Sequence, residues 1–244
     1  MANNYETMKL QMRDEFLKYD QAAMIEKFGL RSDDENIYIT FFGTEYAVDR
    51  STGDVRSQRG EAGYNEAMTI YDVLCYSKPH CRASGRAAVA PMPRAGATSP
   101  GESSGFQPGA AGASALRSSA GASMVNMGSL STIQGGSMKR EGDGLFGRYE
   151  AAFDQRDEAL AAACAKLGGV PEGKGDVAYR IPMFPFLDVM LQYWDSDDEF
   201  PASLQLFVDD RMTDFMHYET VWFALSHMLE RIRELMAAPR FSNR

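Results

Sequence analysis

Only three cysteines occur in the chain (75, 81 and 164), an odd number too small for a disulfide framework, so a reducing cytoplasm is the expected compartment. No Cys-x-x-Cys is present, which excludes the thioredoxin-type redox motif. Histidine is equally scarce, with three residues, and no Ser-His-Asp or Cys-His arrangement assembles around any of them. No apolar run approaches the roughly 18 residues of a membrane helix. Met1-Ala2-Asn3-Asn4-Tyr5-Glu6 lacks the basic-then-apolar build of a signal peptide. Positive charge is also short: 25 Lys and Arg against 34 Asp and Glu give a net charge of −9. Neither nucleic acid nor an anionic membrane, both polyanions, is therefore expected as the main partner.

What remains is ordinary globular material, 244 residues of which 44% are hydrophobic. One stretch departs from it. Between Ala83 and Ala122, 30 of 40 residues are Ala, Gly, Ser or Pro. Such a segment buries too little apolar surface to offset its conformational entropy, and reads as a flexible insertion. Residues 1–82 and 123–244 then form a single interrupted domain.

Before the insertion, Met8, Met12, Phe16, Tyr19 and Ala23 recur at helical spacing over Tyr5–Phe28, with Gly29 as the stop. Ile37, Ile39 and Phe41 alternate with Tyr38, Thr40 and Phe42, a strand opening a hairpin or meander through Val55. A second helix is expected at about Tyr64–Ser77. After the insertion, Leu145, Tyr149, Phe153, Leu160, Cys164 and Leu167 mark a helix closed by Gly168-Gly169. Three apolar stretches follow, Val177–Ile181, Phe186–Trp194 and Leu204–Val208, with Pro182 and Pro185 marking an edge or break. A last helix runs from about Tyr218 to Met236. Helices and strands segregate without a βαβ repeat, so an α+β fold follows: a mainly antiparallel sheet packed with about four helices, interrupted by the insertion.

The chemical motifs are sparse. Gly142-Asp143-Gly144-Leu145-Phe146-Gly147 matches G-x-G-x-x-G but follows a loop instead of a buried strand, which is the wrong context for a dinucleotide. Cys75, His80 and Cys81 are ligand types for zinc, without the second pair that a structural zinc site needs. Residues 176–214 hold nine acids, and Asp195, Asp197, Asp198 and Glu199 crowd one turn after Tyr193-Trp194. Crowded carboxylates suit a hard cation or acid–base work. His217-Tyr218-Glu219 opens the last helix. His227 lies ten residues on, about 15 Å along the axis, so one metal cannot use both imidazoles.

Several stretches resemble an uncharacterised prokaryotic family, catalogued as domain of unknown function number 3786. They are Phe41–Val55, Ile70–Tyr76, and, most closely, Tyr193-Trp194 through Asp198-Glu199-Phe200-Pro201-Ala202-Ser203 to His217-Tyr218-Glu219-Thr220. The resemblance implies an anaerobic bacterium or archaeon, a cytosolic location and no established activity. It also implies relatives that carry a cysteine-rich iron–sulfur segment and accompany corrinoid or one-carbon metabolism; this chain lacks that cysteine cluster.

Three functions are open at this point. The first is a cytosolic, non-catalytic binding or accessory domain in anaerobic metabolism, for a small ligand, cofactor or partner protein. Its ligand-binding residues would be Tyr193, Trp194, Asp197, Asp198, Glu199, His217, Tyr218 and Glu219, and no resident metal is expected. The second is a metal-dependent enzyme using the acidic turn 195–199 with His217. The third is a scaffold tethered through the insertion.

Overall fold

The computed structural model describes residues 4–81, 123–127, 130 and 146–237. The segment Ala83–Ala122 and the glycines at 142 and 144 lie outside the described residues, so the readings made of them are not addressed below.

The α+β class holds. The chain opens with α1 (Asn4–Phe16) and α2 (Gln21–Phe28), where periodicity alone suggested one helix. Asp20 makes the difference: its carboxylate accepts from the Ala22 and Ala23 N–H groups at 3.0 and 3.1 Å, capping a new helix. Gly29, at φ 60°, ends α2 as expected.

A first antiparallel sheet follows, in the order β1 (Arg31–Ser32), β2 (Asn36–Phe41), β3 (Thr44–Asp49), β4 (Val55–Ser57) and β5 (Gly60–Glu61). In the β2–β3 hairpin Phe41 faces Thr44, leaving Phe42 and Gly43 as a two-residue turn with both φ positive, at 42° and 71°. Phe42 is not a residue that favours this region. It is held there by full burial and by its N–H, which donates to the Met183 carbonyl at 2.9 Å and so fastens this hairpin to the second sheet.

Helix α3 (Tyr64–Tyr76) leads out of the first sheet, and all nine residues from Ala67 to Cys75 are buried. It packs against α1 on one side and against α7 (Tyr218–Ala237) on another. A helix hidden all round is a core element, not an amphipathic surface helix.

The second sheet has the order β6 (Met124–Asn126), β10 (Ser203–Asp209), β9 (Leu187–Trp194), β8 (Val177–Phe184) and β7 (Val170–Pro171), again antiparallel throughout. Pro182 lies within β8 instead of ending it, as the sequence had suggested. Pro182 is in register with Asp188 of β9, β7 reaches only Tyr179 and Arg180, and the register with β9 shifts just after it, between Pro182 and Phe184, the kind of irregularity at which a strand tolerates proline.

The helix expected over 145–167 is also two: α4 (Gly147–Phe153) and α5 (Asp157–Lys166). Gln155, at φ 56°, breaks it. Gly169 after α5 has no alternative, because a Cβ there would stand 2.7 Å from the Cys164 carbonyl oxygen. The short α6 (Met212–Phe215) precedes α7. Residues from both sides of the 83–122 segment, including Ile37, Phe41, Tyr71, Val189, Leu225 and Ile232, join one core cluster. Each buried aliphatic side chain of that cluster contributes about 2 kcal/mol. The structure thus has two antiparallel sheets and seven helices among the described residues, where one sheet and about four helices were expected.

Candidate functional site

The acidic turn is bound up locally. The Asp197 carboxylate accepts from the Glu199 and Phe200 N–H groups at 2.8 and 2.7 Å, which holds its pKa below the usual range. Asp195 accepts from the Gln155 N–H at 2.7 Å and donates its own N–H to Asp176 at 2.9 Å. The Ser196 N–H and hydroxyl both reach Asp154. These bonds lock the end of β9 onto the α4–α5 linker. Asp157 joins the same group, and partial burial followed by its hydrogen bond to Asp195 pushes its pKa up to about 6. Asp198 and Glu199 are exposed.

Tyr193 does not line a surface, which corrects its assignment as a ligand-binding residue. It is fully buried, edge-on to Phe153, and its hydroxyl donates to the Glu150 carbonyl at 2.9 Å. Strand alternation explains this: Tyr193 shares the core face with Val189 and Leu191, and Trp194 takes the half-buried opposite face.

His217 is built differently. It is the residue before α7, and its carbonyl accepts the Thr220 and Val221 N–H groups at 3.0 and 3.2 Å. Its own backbone N–H donates to Asp72 Oδ2 at 2.7 Å, and its Nδ1 lies 2.6 Å from Asp72 Oδ1. Both oxygens of one acid therefore hold one residue, across 145 positions of sequence. The Asp72 side chain is only 4% exposed, whereas that of His217 is 61% exposed. With Nδ1–H donating a hydrogen bond to Asp72 Oδ1, the neutral imidazole keeps its lone pair on Nε2. Nε2 has no hydrogen-bond partner among the described residues. Tyr76, one turn along α3 from Asp72, sets its ring edge-on to the imidazole at 5.2 Å, and Tyr19 packs on Tyr76 in turn at 5.8 Å.

Of the flanking candidates, Tyr218 turns its ring to Trp222, and its hydroxyl and the Trp222 Nε1 are both buried without a partner among the described residues. Glu219 is exposed in the first turn of α7, where the helix dipole favours an acid.

Sequence reasoning missed Asp72 and Tyr76, and it missed Asp214. Asp214 on α6 takes Lys78 Nζ at 2.5 Å and His80 Nε2 at 3.2 Å, and its carbonyl accepts the Cys81 thiol at 3.3 Å. The Cys75-to-Cys81 stretch is thereby an anchor of the α3 end onto α6, with Cys75 pushed up to about 12 by burial.

His227, the imidazole within α7, is inside. It stacks on Phe41 at 5.2 Å, with Nδ1 3.8 Å from Glu66 Oε1. Among the described residues no three His, Cys, Asp or Glu side chains are placed to hold a metal ion. His217 and the Asp197–Glu199 turn consequently do not form the shared site that the metal-dependent reading requires.

Residues 148–231 match the family model described as a domain of unknown function (DUF3786). The DUF3786 span begins in α4 and ends in α7, so it contains the acidic turn, His217 and His227. The hairpin at 41–55 and the 70–76 helix, which also carried the resemblance, lie outside it, as do both acids that hold the imidazoles, Asp72 and Glu66. Comparison with curated proteins and with solved structures gives no match. Among the described residues no helix is long and apolar enough to cross a membrane.

Proposed function

We propose that the protein is a cytoplasmic, non-catalytic binding or accessory domain, and that the imidazole of His217 is its recognition group. One observation carries this reading: a buried carboxylate gives both oxygens to a residue whose ring stands in solvent. Removing a carboxylate from water costs several kcal/mol unless its partners compensate. A pair serving stability alone would bury the imidazole as well and gain its apolar area. Here the ring is oriented on one nitrogen and open on the other, with Tyr76 beside it and Tyr19 packed behind Tyr76, which suits a small ligand, a cofactor or a loop of a partner protein. The cytoplasm is supported by the three cysteines, all free thiols and all buried. The anaerobic setting rests on the family resemblance.

A thermal-shift screen of a metabolite and cofactor panel tests the site. The native chain, His217→Ala and Asp72→Asn are compared, after circular dichroism has shown that each is folded. A compound that raises the Tm of the native chain and not of His217→Ala is the expected result. If every stabilising compound acts equally on His217→Ala, the assignment of the site is wrong.

A further inference from the structure

The geometry points to Nε2 of His217 as a phosphoryl acceptor, taking a phosphoryl group from a small donor of the phosphoramidate class and holding it as phosphohistidine. This rests on the reading of His217 as the functional group and adds a chemistry to it. An imidazole whose Nδ1–H is engaged by a carboxylate carries its lone pair on Nε2, the form in which it acts as a base or as a nucleophile. The role of base in a triad requires a hydroxyl or thiol bonded to Nε2, and among the described residues none is. The role of nucleophile requires what is present: an accessible nitrogen, and a fixed anion facing the opposite nitrogen, where positive charge develops on attack. Phosphorus is the electrophile that fits, since an imidazole N–P bond persists in water long enough to serve as a carrier, whereas an N-acyl imidazole hydrolyses readily.

The step balances without a further reactant. The Nε2 lone pair forms the N–P bond as the donor's own N–P bond breaks, and ammonia leaves with that electron pair and its three protons. The imidazole is left cationic, with its Nδ1–H still directed at Asp72. His80 is a comparator within the same chain. It is as exposed as His217, but its Nε2 already faces Asp214, and that acid is shared with Lys78.

The full-length protein is incubated with potassium phosphoramidate and followed by intact mass, peptide mapping under alkaline conditions and phosphorus NMR. An acid-labile phosphate on Nε2 of His217, formed about ten-fold faster than any on His80, is the expected result. His217→Ala loses it, and Asp72→Asn slows it by about ten-fold or more, because the amide no longer fixes the tautomer. Equal labelling of His80 and His217, phosphate on Nδ1, or an Asp72→Asn rate equal to native overturns the inference. Should Asp72→Asn fail to fold, the His217-to-His80 ratio and the nitrogen modified in the native chain decide it. A ligand that requires His217 in the thermal-shift screen, without phosphorylation, removes this inference and leaves the binding reading in place.

Discussion

Two acid–imidazole pairs cross the same contact between α3 and α7, and they are built in opposite senses. In the first, Glu66 and His227 are both largely hidden, at 16% and 11% exposure of their side chains. In the second, Asp72 is hidden and His217 stands out. Glu66 is also occupied by others, accepting from the Tyr46 hydroxyl at 2.6 Å and from the Gly63 N–H, so its hold on His227 is loose at 3.8 Å. Among the described residues the hydrogen bonds that Asp72 accepts both come from His217, at 2.6 and 2.7 Å. A pair that packs its ring on Phe41 is part of the core; a pair that spends a buried charge on an exposed ring does something the core does not require.

The largest effect should come from dismantling the inner pair. Glu66→Ala strands the buried Tyr46 hydroxyl, takes the acceptor from the Gly63 N–H, and removes the acid that pairs with His227, leaving only the weaker influence of Glu234. A loss of about 3 kcal/mol in urea unfolding is expected. A loss below about 1 kcal/mol would mean that the inner network is not structural, and the contrast would collapse from that side.

Acid should reach the inner pair next. Burial first of all, with Arg231 and Arg59 adding and Glu66 opposing, pushes the His227 pKa down to about 4. The unfolded chain therefore takes up a proton below its ordinary value near 6.5 that the folded chain refuses. Stability from this group is full above about pH 6.5, falls as the pH drops through the window to about 4, and changes no further below it. The loss across the window is about 3 kcal/mol at most, at roughly 1.4 kcal/mol per pH unit. His227→Gln should flatten the profile of stability against pH in that window.

How far the sequence announced this contrast differs between the two helices. The hairpin at 36–49 was readable because its alternation is local, although Phe42, expected in the strand, is the first residue of the turn, and α7 was readable because Val221, Leu225, Met228 and Ile232 repeat at helical spacing. The breaks at Asp20 and Gln155 were missed because a cap or one positive φ overrides periodicity without altering it. His217 was picked out, but the turn at 195–199 was paired with it on the strength of charge density. Its actual partner, Asp72, is a single acid among Ala67, Ile70, Tyr71, Val73 and Leu74. A lone carboxylate within a fully buried run of a helix, here Ala67–Cys75, signals that a partner must exist. That signal does not say which residue answers it, and this one lies 145 positions away.

Asp72→Asn sharpens the outer half of the comparison with a moderate effect. The amide can accept from one His217 donor, but its NH2 then faces the other, so one bond is lost and the imidazole is freed to change tautomer. About 1–2 kcal/mol of stability should go. The nitrogen NMR signals of the ring should show the tautomer mixture directly, and an unchanged tautomer would argue that Asp72 does not orient the ring.

The smallest effect is the most informative. His217→Ala removes a ring that is 61% exposed and whose one side-chain hydrogen bond among the described residues is to Asp72, while its backbone N–H can still donate to Oδ2. Little apolar area returns to water, and the vacated oxygen of Asp72 can be hydrated from the space the ring leaves. The change in unfolding free energy should stay within about 0.5 kcal/mol, as for an ordinary surface position. The equivalent truncation at His227 opens a gap against Phe41 and should cost several times more. If His217→Ala instead destabilises the chain as much as His227→Ala does, both imidazoles belong to the core. Asp72 would then be an internal brace between α3 and α7, and the exposed nitrogen an accident of packing.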